Sequence, residues 1–181
     1  LRQKYQLYSN MRPCKAFEGN PLNYRDDIDL VVFRENTEDL YSGVEFFPFG
    51  GELRKVVQDS HQRMKKFETV PDEEMAVSLR IITKRGASRI IRKAFEFAAE
   101  HSRETVTVVE KPNVIRETSG LMLRTARAIA KEYDIPLWET NIDAMCMWLV
   151  KNPQDYDVLV TSNLFGDIVS DLCAQLVGGL G

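Results

Sequence analysis

The chain has 181 residues, a net charge of −3, 44% hydrophobic and 28% charged side chains. That is enough chain for one sizeable core, with no overall basic field to attract nucleic acid and no apolar run near the roughly 18 residues of a membrane span. Three cysteines, Cys14, Cys146 and Cys173, stand far apart among apolar or small neighbours. They read as buried free thiols of a reducing compartment, the cytoplasm first and the mitochondrial matrix as alternative. Without C-x-x-C or a Cys/His cluster, a structural zinc site is not expected.

The chain opens on "LRQKYQLYSNMRP", which reads as the end of a helix followed by a strand. It begins at Leu1 rather than Met and stops at "GGLG", so both ends look cut from a longer chain. "IDLVVFRE" (28–35) is a β-branched run ending in charge, hence a strand. Residues 46–74 break the rhythm: a turn, a charged amphipathic helix and another turn, with one apolar stripe of Leu53, Val56, Val57, Met64 and Phe67. Such a segment either docks on a partner subunit or folds back on its own sheet, and the pattern alone favours neither. "MAVSLRIIT" (75–83) alternates and predicts a strand. Residues 84–101 place Ile90, Ile91, Ala94, Phe95 and Ala98 on one helical stripe. A strand follows at 105–111, a helix at 119–133 with Ser119 as N-cap, and a short strand at 135–142. The helix at 143–153 is stopped by Pro153, the next strand covers 156–163, and the last helix runs over 167–177 to Gly178 and Gly179. From residue 80 onward strands and helices alternate, which predicts an α/β layered fold with at least part of its sheet parallel.

In that last helix Asp167 and Asp171 stand four residues apart, on one face. Capping explains Asp167, at the predicted N-terminus, but explains Asp171 poorly. A divalent metal over the helix would explain both. Other charged groups gather where strands end: Arg34 and Glu35, then Tyr41 in the following loop; Glu110 and Lys111, then Pro112 and Asn113; and Asp143 at a strand-to-helix junction. Strand ends are where α/β proteins build sites. Taken singly, each has an ordinary reading: a solvated lysine, a packing tyrosine, a capping aspartate.

Together these stretches resemble the family of metal-dependent decarboxylating dehydrogenases of 2-hydroxy acids, which includes isocitrate, isopropylmalate, homoisocitrate and tartrate dehydrogenases. "LRQKYQLYSNMRP", "RENTEDLYSGVE", "EKPNVIRETSGL", "IDAMCMWLVKNPQDYDVLVTSNLFGDIVSDL" and "VGGLG" carry the resemblance, in the family's order. "YSGVE" leans toward isocitrate dehydrogenase. The resemblance implies that Arg2, Arg12 and Arg34 bind substrate carboxylates, Tyr41 and Lys111 are catalytic, and Asn113 lies near the nicotinamide. It implies that Asp143, Asp167 and Asp171 hold Mg²⁺ or Mn²⁺, with NAD⁺ or NADP⁺ as the second cofactor. The expected substrate is a small tricarboxylate, and the expected assembly a homodimer with shared active sites. Lys111 and Asp143 would come from one subunit, and Arg2, Arg12, Arg34, Tyr41, Asp167 and Asp171 from the other. Neither nucleic acid nor membrane is an expected partner.

The fold so implied is the family's layered α/β fold in part: its smaller domain, with residues 46–74 as an inserted clasp-like dimerisation segment. It is not a Rossmann domain, in agreement with the absence of G-x-G-x-x-G. The implied activity of the full-length parent is oxidative decarboxylation of isocitrate, the isolated chain being inactive. The alternatives are another hydroxy acid of the family, a non-catalytic regulatory subunit, or a dimerisation domain alone. Glu110 departs from the Asp or His more often found before the catalytic lysine, and Pro112 from a small residue.

Overall fold

The computed structural model describes residues 4–179. These form two compact units: one takes in the chain up to Tyr41 and again from Ile81, the other is Ser42–Arg80.

The larger unit is built on a five-stranded sheet in the order β1-β2-β7-β5-β6, with β1 Ser9–Lys15, β2 Asp29–Glu35, β5 Val106–Glu110, β6 Leu137–Asn141 and β7 Val158–Thr161. Strands β2, β7, β5 and β6 run parallel, and β1 is an antiparallel edge that sets Arg12 opposite Val32. The parallel strands are β-branched runs because helices cover both their faces. On one face Val31, Phe33, Val106, Val108, Val158 and Val160 meet Ile90, Ile91, Ala94 and Phe95 of α2 (Lys84–Glu100) and Met122, Ala126 and Ile129 of α3 (Arg116–Ala130). On the other, Leu30, Val32, Val109 and Leu159 meet Met145 and Leu149 of α4 (Ile142–Lys151) and Val169, Cys173 and Leu176 of α5 (Asn163–Leu176). Ile90, Ile91 and Phe95 are fully buried, each contributing about 1.5–3 kcal/mol. The apolar stripe expected over 84–101 is the one that α2 buries, and the expected parallel α/β layering is the architecture found. All three cysteines are free; Cys14 and Cys173 are buried and Cys146 half-buried.

Several boundaries differ from expectation, each for a tertiary reason. The helix expected to start at Ser119 begins at Arg116, and Ser119 lies inside it, fully buried, its hydroxyl engaged by another element. The last helix begins at Asn163 rather than at 167, with Ser162 as N-cap, which puts Asp167 beyond the first turn. The strand expected over 75–83 shrinks to β4, Val77–Ser78, because its one ladder partner is the equally short β3, Glu45–Phe46. Before β1, residues 4–6 form a turn.

The smaller unit holds that two-stranded ribbon, helix α1 (Gly51–Ser60) and a 3₁₀ turn at Gln62–Phe67. The expected apolar stripe is not what α1 buries. Leu53 and Val56 stay exposed, as does Phe67, while Arg54 is buried. Arg54 donates to Asp72 and, at 2.8 and 3.2 Å, to the carbonyls of Phe67 and Glu68, closing the segment on itself. Among the described residues no helix is long and apolar enough to cross a membrane.

Candidate active site

The candidate site residues gather around the carboxyl ends of the parallel strands, in two groups. The first is organised by Arg34, next to last in β2 and 1% exposed. A guanidinium so buried must have its donors satisfied. Its Nε donates to Asn163 Oδ1 at 2.8 Å and its Nη1 to Asp167 Oδ1, and its central carbon lies 5.0 Å from the centre of the Tyr41 ring. The Tyr41 hydroxyl donates to the other Asp167 oxygen. That hydrogen bond, together with partial burial and the Asp167 charge, pushes the Tyr41 phenol above its usual range, so it stays protonated. One turn along α5, Asp171 accepts from Arg12 Nη1 at 2.8 Å, and the same nitrogen donates to Ser170 Oγ at 2.9 Å. Asp167 and Asp171 therefore share a helix face lined by two arginines and a phenol. Capping does not account for Asp167, whose carboxylate meets side chains of other elements.

Helix α5 comes this close because residue 166 has no side chain. A Cβ there would stand 2.6 and 2.7 Å from Arg34 carbons. The Tyr41 loop is tied to the start of α5 by the Leu164 N–H to Asp39 Oδ2 at 2.9 Å and by Asn163 Nδ2 to the Glu38 carbonyl at 3.1 Å. Asp39 is fully buried with φ of +73°. Asp39 and Asn163 were not singled out in the sequence. Asn163 had a signal, since it precedes "LFGD", but the left-handed backbone of Asp39 leaves no trace in composition.

The second group is Lys111 and Asp143. The ammonium of Lys111, just past β5, donates to Asp143 in the first turn of α4, and this bond holds the Asp143 carboxyl below its ordinary range. Asn113 is exposed in the turn that follows. Among the described residues the two groups share no hydrogen bond, and no three His, Cys, Asp or Glu side chains gather closely enough to hold a metal ion. Arg2 lies outside the described residues.

The donors nonetheless suit a hard divalent cation. They are carboxylates only, with side-chain exposures of 33% for Asp167, 54% for Asp171 and 68% for Asp143, so solvent reaches all three. Arginines so interleaved with carboxylates present guanidinium forks and hard oxygen donors side by side.

Residues 1–181 match the family described as isocitrate/isopropylmalate dehydrogenase, and the chain belongs to that family. It is 43% identical over its whole length to isocitrate dehydrogenase [NAD] catalytic subunit 5, mitochondrial, of Arabidopsis thaliana, and covers 42% of that protein. It is 42% identical over its whole length to the chloroplastic 3-isopropylmalate dehydrogenase of Solanum tuberosum, covering 44%. The solved isocitrate dehydrogenase of Methylococcus capsulatus superposes with a TM-score of 0.82 at 44% identity, over 98% of this chain and 47% of the other. The chain thus spans somewhat under half the length of the relatives it matches.

Proposed function

We propose that these residues serve a metal-dependent isocitrate dehydrogenase that uses NAD⁺ or NADP⁺ to oxidise and decarboxylate its substrate to 2-oxoglutarate. The observation that carries this reading is the face of α5, where Arg12 and Arg34 alternate with Asp171 and Asp167. Arginine forks bind a polycarboxylate, and the aspartates offer oxygen to a cation. Asp167 and Asp171, with Asp143, would hold Mg²⁺ or Mn²⁺, which supplies Lewis acidity at the C2 oxygen. Asn113 would lie beside the nicotinamide cofactor, which would supply a hydride acceptor.

The chain's own groups do the rest. Arg12 and Arg34, with Arg2, bind and orient the substrate carboxylates. Lys111, directly or through water, supports loss of the C2 hydroxyl proton as hydride leaves. The 2-oxo acid so formed has a carboxylate β to its ketone and loses CO₂. Tyr41 then donates its proton to the enolate carbon.

We further propose that each centre is shared between two copies of the chain, Lys111 and Asp143 from one, Arg12, Arg34, Tyr41, Asp167 and Asp171 from the other. The separation of these residues into two groups supports this, as do the apolar residues around them. Met147 and Val150 on α4 are 56% and 46% exposed near Asp143, and Ile168 on α5 is 47% exposed near Asp171. Apolar surface of that kind suits a two-fold homodimer. The unit Ser42–Arg80, with Leu53, Val56 and Phe67 exposed, is proposed as a clasp-like dimerisation segment. A reducing compartment, cytoplasm or mitochondrial matrix, suits the three free thiols.

Isopropylmalate is the second reading, because similarity to the potato enzyme is nearly as high as to the plant isocitrate enzyme. The test is turnover by a full-length subunit containing these residues, with isocitrate, homoisocitrate, isopropylmalate and tartrate, each with NAD⁺ and NADP⁺. Turnover highest on isocitrate supports the proposal; preference for isopropylmalate, or none at all, overturns it.

A further inference from the structure

Beside the lysine lies a buried acid that the proposed chemistry does not use. Glu110, the last residue of β5, is 0% exposed, as is Ser119 on α3. One Glu110 oxygen accepts from the Ser119 hydroxyl at 2.6 Å, and the other from the backbone N–H of Ser162 at 3.2 Å. Ser162 is the N-cap of α5, so the acid also faces the positive end of a helix. Ser119 Oγ in turn accepts the backbone N–H of Lys111 at 3.3 Å, and the Lys111 carbonyl accepts from Ile115 at 2.8 Å.

We propose that Glu110, acting through Ser119, is a positioning residue for Lys111. This rests on the reading of Lys111 as the group that supports loss of the hydroxyl proton. A lysine has a flexible four-carbon stem, and a misplacement of about 1 Å can cost on the order of a hundredfold in rate. Here both backbone polar groups of Lys111 are held, and only its side-chain torsions remain before it reaches Asp143. The Ser119 hydroxyl has one proton and accepts the Lys111 N–H only when that proton points elsewhere. Glu110 supplies the direction. Its second oxygen ties the same strand end to the start of α5, which carries Asp167 and Asp171.

The test compares Ser119→Ala, Glu110→Ala and Glu110→Gln in a full-length subunit, with the hydroxy acid that turns over best, deuterated at C2. Ser119→Ala is expected to lower kcat about tenfold with KM within about twofold, and to raise the primary isotope effect on kcat, as hydride transfer becomes slower than the other steps. Glu110→Gln keeps an acceptor for Ser162 but turns its NH2 toward Ser119, reversing that bond, and should restore only part of what Glu110→Ala loses. Independently of turnover, hydrogen exchange at the Lys111 amide should quicken at least about tenfold in Ser119→Ala, while Val106–Val109 stay protected. Unchanged kcat, isotope effect and Lys111 exchange in Ser119→Ala overturn the proposal. Lys111→Met separates the two levels. If it abolishes hydride transfer while Ser119→Ala does not slow it, only the positioning role falls. If Lys111→Met leaves hydride transfer intact, the role of Lys111 falls and the positioning role with it.

Discussion

Asp167 meets the buried guanidinium of Arg34 with one oxygen and the Tyr41 hydroxyl with the other. Asp167→Asn keeps the shape and loses the charge. In the proposed enzyme, the Mn²⁺ concentration for half-maximal turnover should rise at least about tenfold. The fold should survive with a lowered Tm, because Arg34 is 1% exposed and keeps Asn163 as a partner. Wild-type metal dependence in that variant would leave Asp167 a partner of Arg34 and Tyr41 only. Tyr41→Phe removes the one proton the phenol can give. It should lower kcat with little change in KM, since Arg12 and Arg34 still hold the carboxylates. A raised KM at constant kcat would mean that Tyr41 binds substrate rather than donating to it.

Helix α5 carries both aspartates, and its approach to β2 depends on Gly166. Gly166→Ala puts a Cβ 2.6 Å from Arg34 Cγ and 3.0 Å from Thr161 Cγ2. Overpacking of this kind costs about 1–3 kcal/mol, and thermal unfolding should show it together with a raised KM from the displaced Arg34. The opposite end of the sheet has a staple of its own. Arg103 pairs at 2.9 Å with both Asp29 and Asp157, and Lys15 at 2.8 Å with Asp29. Burial pushes the Asp29 carboxyl up, but its two cations outweigh that and hold it below the usual range. A folded pKa below the unfolded one gives stability that is present above about pH 4 and lost as pH falls through the depressed value. Asp29→Asn should therefore lower Tm at pH 7, and the difference should shrink toward zero in strong acid; a difference that persists there would assign it to packing. Much of this level was legible in the sequence, because parallel strands must be apolar on both faces and α2 shows its stripe openly. The starts of α3 and α5 were not. Ser119 and Asp167 belong to residue types that cap helices, and only the folded chain reveals Glu110, Arg34 and Tyr41 as their partners. The alternation of 75–83 likewise speaks for a strand without revealing that its partner is two residues long.

Across the whole molecule, the residues drawn together by family resemblance divide into two groups. Arg12, Arg34, Tyr41, Asp167 and Asp171 are linked by hydrogen bonds and ring contact, while Lys111 and Asp143 pair only with each other among these residues. Family resemblance already implies that division, and the strand order is compatible with it: β1 and β2 lie at one edge, β6 at the other. If two copies complete each centre, the division is the design of the enzyme. The most direct measurement mixes full-length subunits carrying Lys111→Met with others carrying Tyr41→Phe, each inactive alone, unfolded together and refolded. A mixed dimer then has one centre with both lesions and one with neither. Activity should return to about a quarter of wild type in an equal mixture, since about half the dimers are mixed and half their centres are intact. No recovery, with mixed dimers demonstrated by mass, would mean that Lys111 and Tyr41 serve one centre from the same chain.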